Sequence, residues 1–107
     1  MIRGLGIDIV AIGRVEKAMI RPRFVSRILT EPEKLQNLTS ASIAGKWAAK
    51  EAVAKAVGTH LLWHDVEILR DSQGKPSVHF VTEMCGNVHL SITHENGIAA
   101  AIAVWED

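Results

Sequence analysis

The chain has 107 residues, 48% of them hydrophobic and 22% charged, with twelve basic groups against twelve acidic ones. That length supports one domain with a real core and leaves little area for a deep private pocket. Zero net charge argues against wholesale attraction to nucleic acid or membrane, and the single cysteine, Cys85, excludes an internal disulfide framework and a Cys-rich zinc site.

The opening MIRGLGIDIV lacks the apolar run and small-residue cleavage site of a signal peptide. The longest apolar run, Ile98 to Trp105, is too short to span a bilayer as a helix. A soluble, cytoplasmic protein is expected, one domain over 1–107, with no linker at either end. Charge is unevenly spread. Residues 1–30 carry Arg3, Arg14, Lys17, Arg21, Arg23 and Arg27 against Asp8 and Glu16, a net of +4, and the remainder carries −4. Such polarity makes one end a candidate dock for an acidic partner.

Ile2 to Ala11 reads as a strand, with Gly4, Gly6 and Asp8 on one face and Leu5, Ile7 and Ile9 on the other. Aspartate is depleted in strands, and two glycines on its own face leave bare backbone around it. Asp8 is either a cap for the next helix or a reactive carboxylate. Arg14 to Ile20 reads as a short helix stopping near Pro22, with Arg14, Lys17 and Arg21 at i, i+3, i+7. That stripe is either a solvated face or a dock. Phe24, Val25, Ile28 and Leu29 give a second amphipathic turn, with Arg23 and Arg27 outside. Thr30-Glu31-Pro32-Glu33 caps and starts a third short helix, to about Leu38.

Ser40 to Val57 is a long helix, capped by Thr39 or Ser40 and closed by Gly58. It is apolar nearly all round, which marks it as buried. Lys46 and Lys50 form one polar stripe; Glu51 and Lys55, four residues apart, form another. The second continues through Ala48 and Ala44, a track that permits close approach by a strand, a subunit or a ligand. An ordinary helix ion pair is the competing account of Glu51 and Lys55. Val66 to Leu69 and Ser77 to Thr82 form a hairpin around Asp71-Ser72-Gln73-Gly74. Val88 to Thr93 turns at Asn96-Gly97 into a last strand, Ile98 to Trp105. The expected fold is α+β, helices packed on one antiparallel meander that the first strand joins.

Nucleotide and nucleophile signatures such as the P-loop, GxGxxG and GxSxG are missing, and the five histidines lack an HExxH setting. Two carboxylates remain, Asp8 and Glu51, on elements that must pack together, with Lys55 one turn on. A hard cation held by one or two carboxylates plus substrate phosphates is the usual magnesium arrangement.

At this point the chain resembles the bacterial holo-acyl-carrier-protein synthases, a phosphopantetheinyl transferase family. The resemblance rests on Gly6-Ile7-Asp8-Ile9-Val10, Arg27-Ile28-Leu29-Thr30, Ala44-Gly45-Lys46-Trp47-Ala48-Ala49-Lys50-Glu51-Ala52 with Lys55-Ala56, Gly74-Lys75-Pro76, and His89-Leu90-Ser91-Ile92-Thr93-His94. It implies transfer of the phosphopantetheine arm of coenzyme A to a serine of apo acyl carrier protein, releasing adenosine 3′,5′-bisphosphate in lipid synthesis. Asp8 and Glu51 match the family's magnesium-binding carboxylates, and Lys55 its motif lysine. The base is Asp8 or a metal-bound water. Lys46, Lys50, Lys55, Gly74, Lys75, Pro76 and His94 match coenzyme A contacts, with Lys46 where arginine is usual. Arg14, Lys17, Arg21, Arg23 and Arg27 become docking groups for an acidic carrier. The resemblance further implies a homotrimer with sites between subunits, and Ala99, Ala100, Ala101 and Ala103 are expected to pack around its axis. The chain is shorter than most members between Thr30 and Ser42 and between Phe80 and His89, which puts carrier selectivity and coenzyme A affinity in question. A non-catalytic carrier-binding module and a trimeric domain of a larger synthase are the competing classes.

Overall fold

The computed structural model describes residues 1–107. Strand β1 (Ile2–Ala11) leads into α1 (Ile12–Ala18), α2 (Phe24–Ile28), α3 (Glu31–Lys34) and the long α4 (Ser40–Val57). A 3-10 turn (Trp63–Asp65) precedes β2 (Val66–Arg70), β3 (Pro76–Phe80), β4 (Asn87–Glu95) and β5 (Ile98–Glu106).

The fold is α+β, but the strands form two antiparallel sheets, not one meander: β1-β5-β4 and, apart from it, β2-β3. The break falls between β3 and β4, which flank an open cleft lined by Ser77, Val78, Val88 and Leu90 instead of hydrogen-bonding to each other. The backbone N–H of Ile68 donates to Glu33 Oε2 at 2.8 Å, and that of Arg70 to Gln36 Oε1 at 3.1 Å. At the far side of this small sheet, side chains from α3 and its exit thus cover the edge of β2 that does not pair with β3. Between β4 and β5 the turn is the expected one, with Glu95 opposite Ile98 and positive φ at Asn96 (49°) and Gly97 (75°).

Helix ends follow local chemistry. Thr30 and Glu33 form a reciprocal capping box on α3. That helix stops at Lys34, short of Leu38, because Leu35 and Gln36 tighten onto the carbonyls of Pro32 and Glu33. α1 stops at Ala18, so Arg21 lies in the following turn and the three-residue stripe is not one helix face. Thr39 caps α4 by accepting from Ser42 N–H, and Gly58 closes it at φ 71°.

α4 lies across β1 and β5 and supplies seven of the sixteen core residues, more than any other element. Ala44, Ala48, Ala52 and Ala56 are buried, as are Ala99, Ala101 and Ala103 of β5. Those β5 alanines therefore face the helix, and only Ala100 shares the opposite face expected to meet other subunits. Bulk comes from Ile28, Leu29, Ile43, Val53, Val66 and Ile68, each worth roughly 1.5–3 kcal/mol when removed from water.

Candidate active site

Two glycines bring the site's halves together. A Cβ on Gly6 would stand 1.8 Å from the carbonyl oxygen of Ala52, and one on Gly4 1.9 Å from that of Ala56. The backbone of α4 therefore rests directly on β1, closer than any larger residue permits. Asp8 shares that helix-facing side of the strand. The same contact sets Glu51 and Lys55, on the turns bearing Ala52 and Ala56, beside it.

Lys55 Nζ donates to the Ile7 carbonyl at 2.9 Å and to Asp8 Oδ1 at 3.2 Å. The competing account, an ion pair of Glu51 with Lys55 within the helix, gives way to a pair between helix and strand, Lys55 with Asp8. Asp8 and Glu51 line one open cavity of about 370 Å³ together with Arg14, Trp47 and Trp63. Arg14 is stacked on the Trp47 ring, its guanidinium carbon 4.7 Å from the ring centroid. Trp47 in turn meets Trp63 edge-on and Phe24 at a tilt, with centroids 5.6 and 5.9 Å apart. Arg14 thus belongs to the carboxylate cavity, whereas Lys17, Arg21, Arg23 and Arg27 stand exposed on the chain that follows.

The donor set fits a hard divalent cation. Both cavity carboxylates offer only oxygens, on two rigid elements. No group of three or more His, Cys, Asp or Glu side chains that could hold a metal ion occurs, so these two carboxylates are the most the chain could offer such an ion there.

The lysines on the other stripe behave differently. Lys50 is buried, and its three ammonium protons go to Ile28 O, Trp63 O and Glu33 Oε1, each at 2.7 Å. None is left for a ligand, so the expected coenzyme A contact at Lys50 gives way to an internal bolt between α4, α3 and the 3-10 turn. Lys46 is also buried and donates to Gln36 Oε1 at 3.1 Å. Burial holds both lysine pKa values below the ordinary range; for Lys50, Glu33 opposes that shift by hydrogen bond and charge.

The other expected coenzyme A contacts lie outside this cavity. His94 is exposed, with Nε2 2.9 Å from the Ala41 carbonyl near the start of α4. Gly74, Lys75 and Pro76 sit on the β2–β3 turn, and Lys75 and Pro76 line a separate cleft against β4. Glu33 and Gln36, which sequence reasoning did not single out for the site, hold its supports in place. Only Glu33 left a trace, as the third residue of the Thr30 capping box.

Comparison with known proteins shows the family. The sequence model of the ACPS family, the 4′-phosphopantetheinyl transferase superfamily, matches residues 4–103. The chain is 45% identical over 117 residues to the holo-[acyl-carrier-protein] synthase of Shouchella clausii, covering 99% of each. Its fold is similar to a Bacillus anthracis holo-(acyl-carrier-protein) synthase in complex with CoA (3′,5′-ADP), at TM-score 0.88 and 40% identity, covering 99% of this chain and 97% of that one. The Helicobacter pylori holo-[acyl-carrier-protein] synthase in complex with coenzyme A gives TM-score 0.87 at 32% identity, covering 95% and 99%.

Proposed function

The chain belongs to the 4′-phosphopantetheinyl transferase superfamily, in its holo-[acyl-carrier-protein] synthase group, and we propose that it moves the 4′-phosphopantetheine arm of coenzyme A onto a serine of apo acyl carrier protein, with adenosine 3′,5′-bisphosphate as the second product. The observation that carries this reading is the convergence of Asp8, Glu51 and Lys55, enforced by the glycine contact between β1 and α4.

In this reaction the serine oxygen displaces at the β-phosphorus of the pyrophosphate. Asp8 and Glu51 would hold magnesium, which when bound lowers the negative charge that the entering oxygen meets. Lys55 keeps a cation beside Asp8 and half open to solvent, placed to meet phosphate oxygens or the departing bisphosphate. Asp8 can also take the serine proton, directly or through water. Arg14, fixed on Trp47, adds positive charge at the cavity mouth.

Lys17, Arg21, Arg23 and Arg27, with Arg14, suit an acidic carrier. Lys46, His94 and the Gly74–Pro76 turn are assigned to coenzyme A by the family resemblance. Within one chain His94 and that turn lie on surfaces other than the carboxylate cavity, and Lys46 is buried outside it, which favours a site completed by a second subunit. A homotrimer supplies that subunit, and the apolar outer face of the β1-β5-β4 sheet, with Leu5, Ile7 and Ile9 about 60% exposed, suits its interface. No helix is long and apolar enough to cross a membrane. A cytoplasmic location goes with the use of coenzyme A.

Incubation with coenzyme A, magnesium and apo acyl carrier protein should release adenosine 3′,5′-bisphosphate in step with carrier loading. Loading without release of the bisphosphate would contradict the reaction. A chelator should stop both.

A further inference from the structure

Nothing in the sequence marks Gln36, which follows α3 and is half-buried. Its side-chain amide makes three hydrogen bonds. Oε1 accepts from the Arg70 N–H and from Lys46 Nζ, both at 3.1 Å, and Nε2 donates to the Arg70 carbonyl at 3.1 Å. Gripping the N–H and C=O of one residue is what a neighbouring strand does. Gln36 thus replaces a strand at the end of β2.

The Arg70 side chain reaches the other way. Its guanidinium donates to the Gly74 carbonyl at 2.7 Å. Asp71 Oδ1, next in sequence, accepts from the N–H groups of Gln73 and Lys75, both at 2.9 Å. The turn bearing Gly74, Lys75 and Pro76 therefore hangs from Arg70, and Arg70 hangs from Gln36. Lys46 is fastened to the same Gln36 oxygen. One amide sets the spacing between the α4 lysine and the β2–β3 turn.

We propose that Gln36 is a positioning residue for coenzyme A, holding Lys46 and the Gly74–Pro76 turn in the arrangement that receives it; this rests on the assignment of those groups to coenzyme A made above. Gln36 itself touches no substrate. Its contribution is that the turn is ordered before the ligand arrives, so binding does not have to supply that order. The effect belongs to coenzyme A and not to the carrier, because none of the relay's hydrogen bonds involves the basic segment of residues 14–27.

Calorimetric dissociation constants for coenzyme A, with magnesium present, test this on Gln36→Met, Arg70→Met, Lys46→Met, Lys75→Ala and the Gln36→Met/Lys75→Ala pair. Gln36→Met should weaken coenzyme A by roughly tenfold, and the double variant by less than the product of the single effects, as coupled groups behave. The KM for carrier protein should stay within about twofold, since rim charges govern that encounter. Amide exchange at Gly74 and Lys75 should quicken. Arg70→Met cuts only the link to Gly74, carries little folding risk, and should shift affinity in the same direction. Unchanged coenzyme A affinity in Gln36→Met and Arg70→Met, alongside a loss in Lys75→Ala, would overturn the inference alone. Unchanged affinity in Lys75→Ala and Lys46→Met would overturn the coenzyme A assignment and the inference with it.

Discussion

Lys46 and Lys50 stand one turn apart on α4, equally buried, and the chemistry around them separates them. Lys50 is matched by a carboxylate and two carbonyls, a satisfied buried ion pair whose disruption would leave Glu33 charged in the core. Lys46 forms one hydrogen bond, to a neutral amide, and desolvation lowers its pKa more than Glu33 raises it. A lysine with a lowered folded-state pKa is protonated more in the unfolded chain, so stability rises as pH climbs toward the ordinary value of 10.5. Lys46→Met lacks that term while keeping the Lys50 term. Urea midpoints from pH 7 to about 10 should therefore show wild type gaining on Lys46→Met; a constant difference would mean that Lys46 is not desolvated. Nothing in the sequence separates the two lysines. Their partners, Glu33 and Gln36, come from a segment ten and seventeen residues away, and a polar i, i+4 stripe looks the same facing water or facing a buried carboxylate. Asp8, Glu51 and Lys55 were readable because the strand's glycines left a bare face and the family blocks surround all three. Their pairing was not, since Lys55 prefers a strand carboxylate to the one on its own helix.

The contact between β1 and α4 decides the geometry of the site. Gly6→Ala places a methyl carbon inside the van der Waals radius of the Ala52 carbonyl, a rigid backbone atom that cannot swing away. Overpacking of this kind costs roughly 1–3 kcal/mol or more, and relief comes only from lifting the helix off the strand. Both thermal stability and activity should fall, and activity should stay low well below the variant's melting temperature because Glu51 and Asp8 are then misplaced. An active, stable Gly6→Ala would remove this contact from the account. Caps and turns at this scale were legible: Thr39, Gly58 and Asn96-Gly97 act through local geometry alone. The division into two sheets was not, nor was the cover on the free β2 edge, where Glu33 and Gln36 arrive from some 34 residues away along the chain. β5 misled for a related reason. Its small side chains face inward under a helix that lies close, while the bulky residues of β1 face out.

In the whole molecule that reversal leaves Leu5, Ile7, Ile9, Ile98 and Ile102 on one outer face, 40–63% exposed in the single chain. A face of this kind calls for cover. Light scattering at micromolar concentration should give about three times 11.7 kDa. Ile7→Asp, which puts a charge at the centre of that face, should yield smaller species with little transfer activity. A fully active monomer would contradict a site shared between subunits. The most direct test of the phosphoryl-transfer centre is the intact mass of apo acyl carrier protein after incubation with coenzyme A, magnesium and either wild type or Glu51→Gln. An amide is close in shape to the carboxylate but a much poorer partner for a hard cation. The account predicts a carrier heavier by one phosphopantetheine with wild type and unchanged with folded Glu51→Gln; equal conversion by both, or none by wild type, would contradict it.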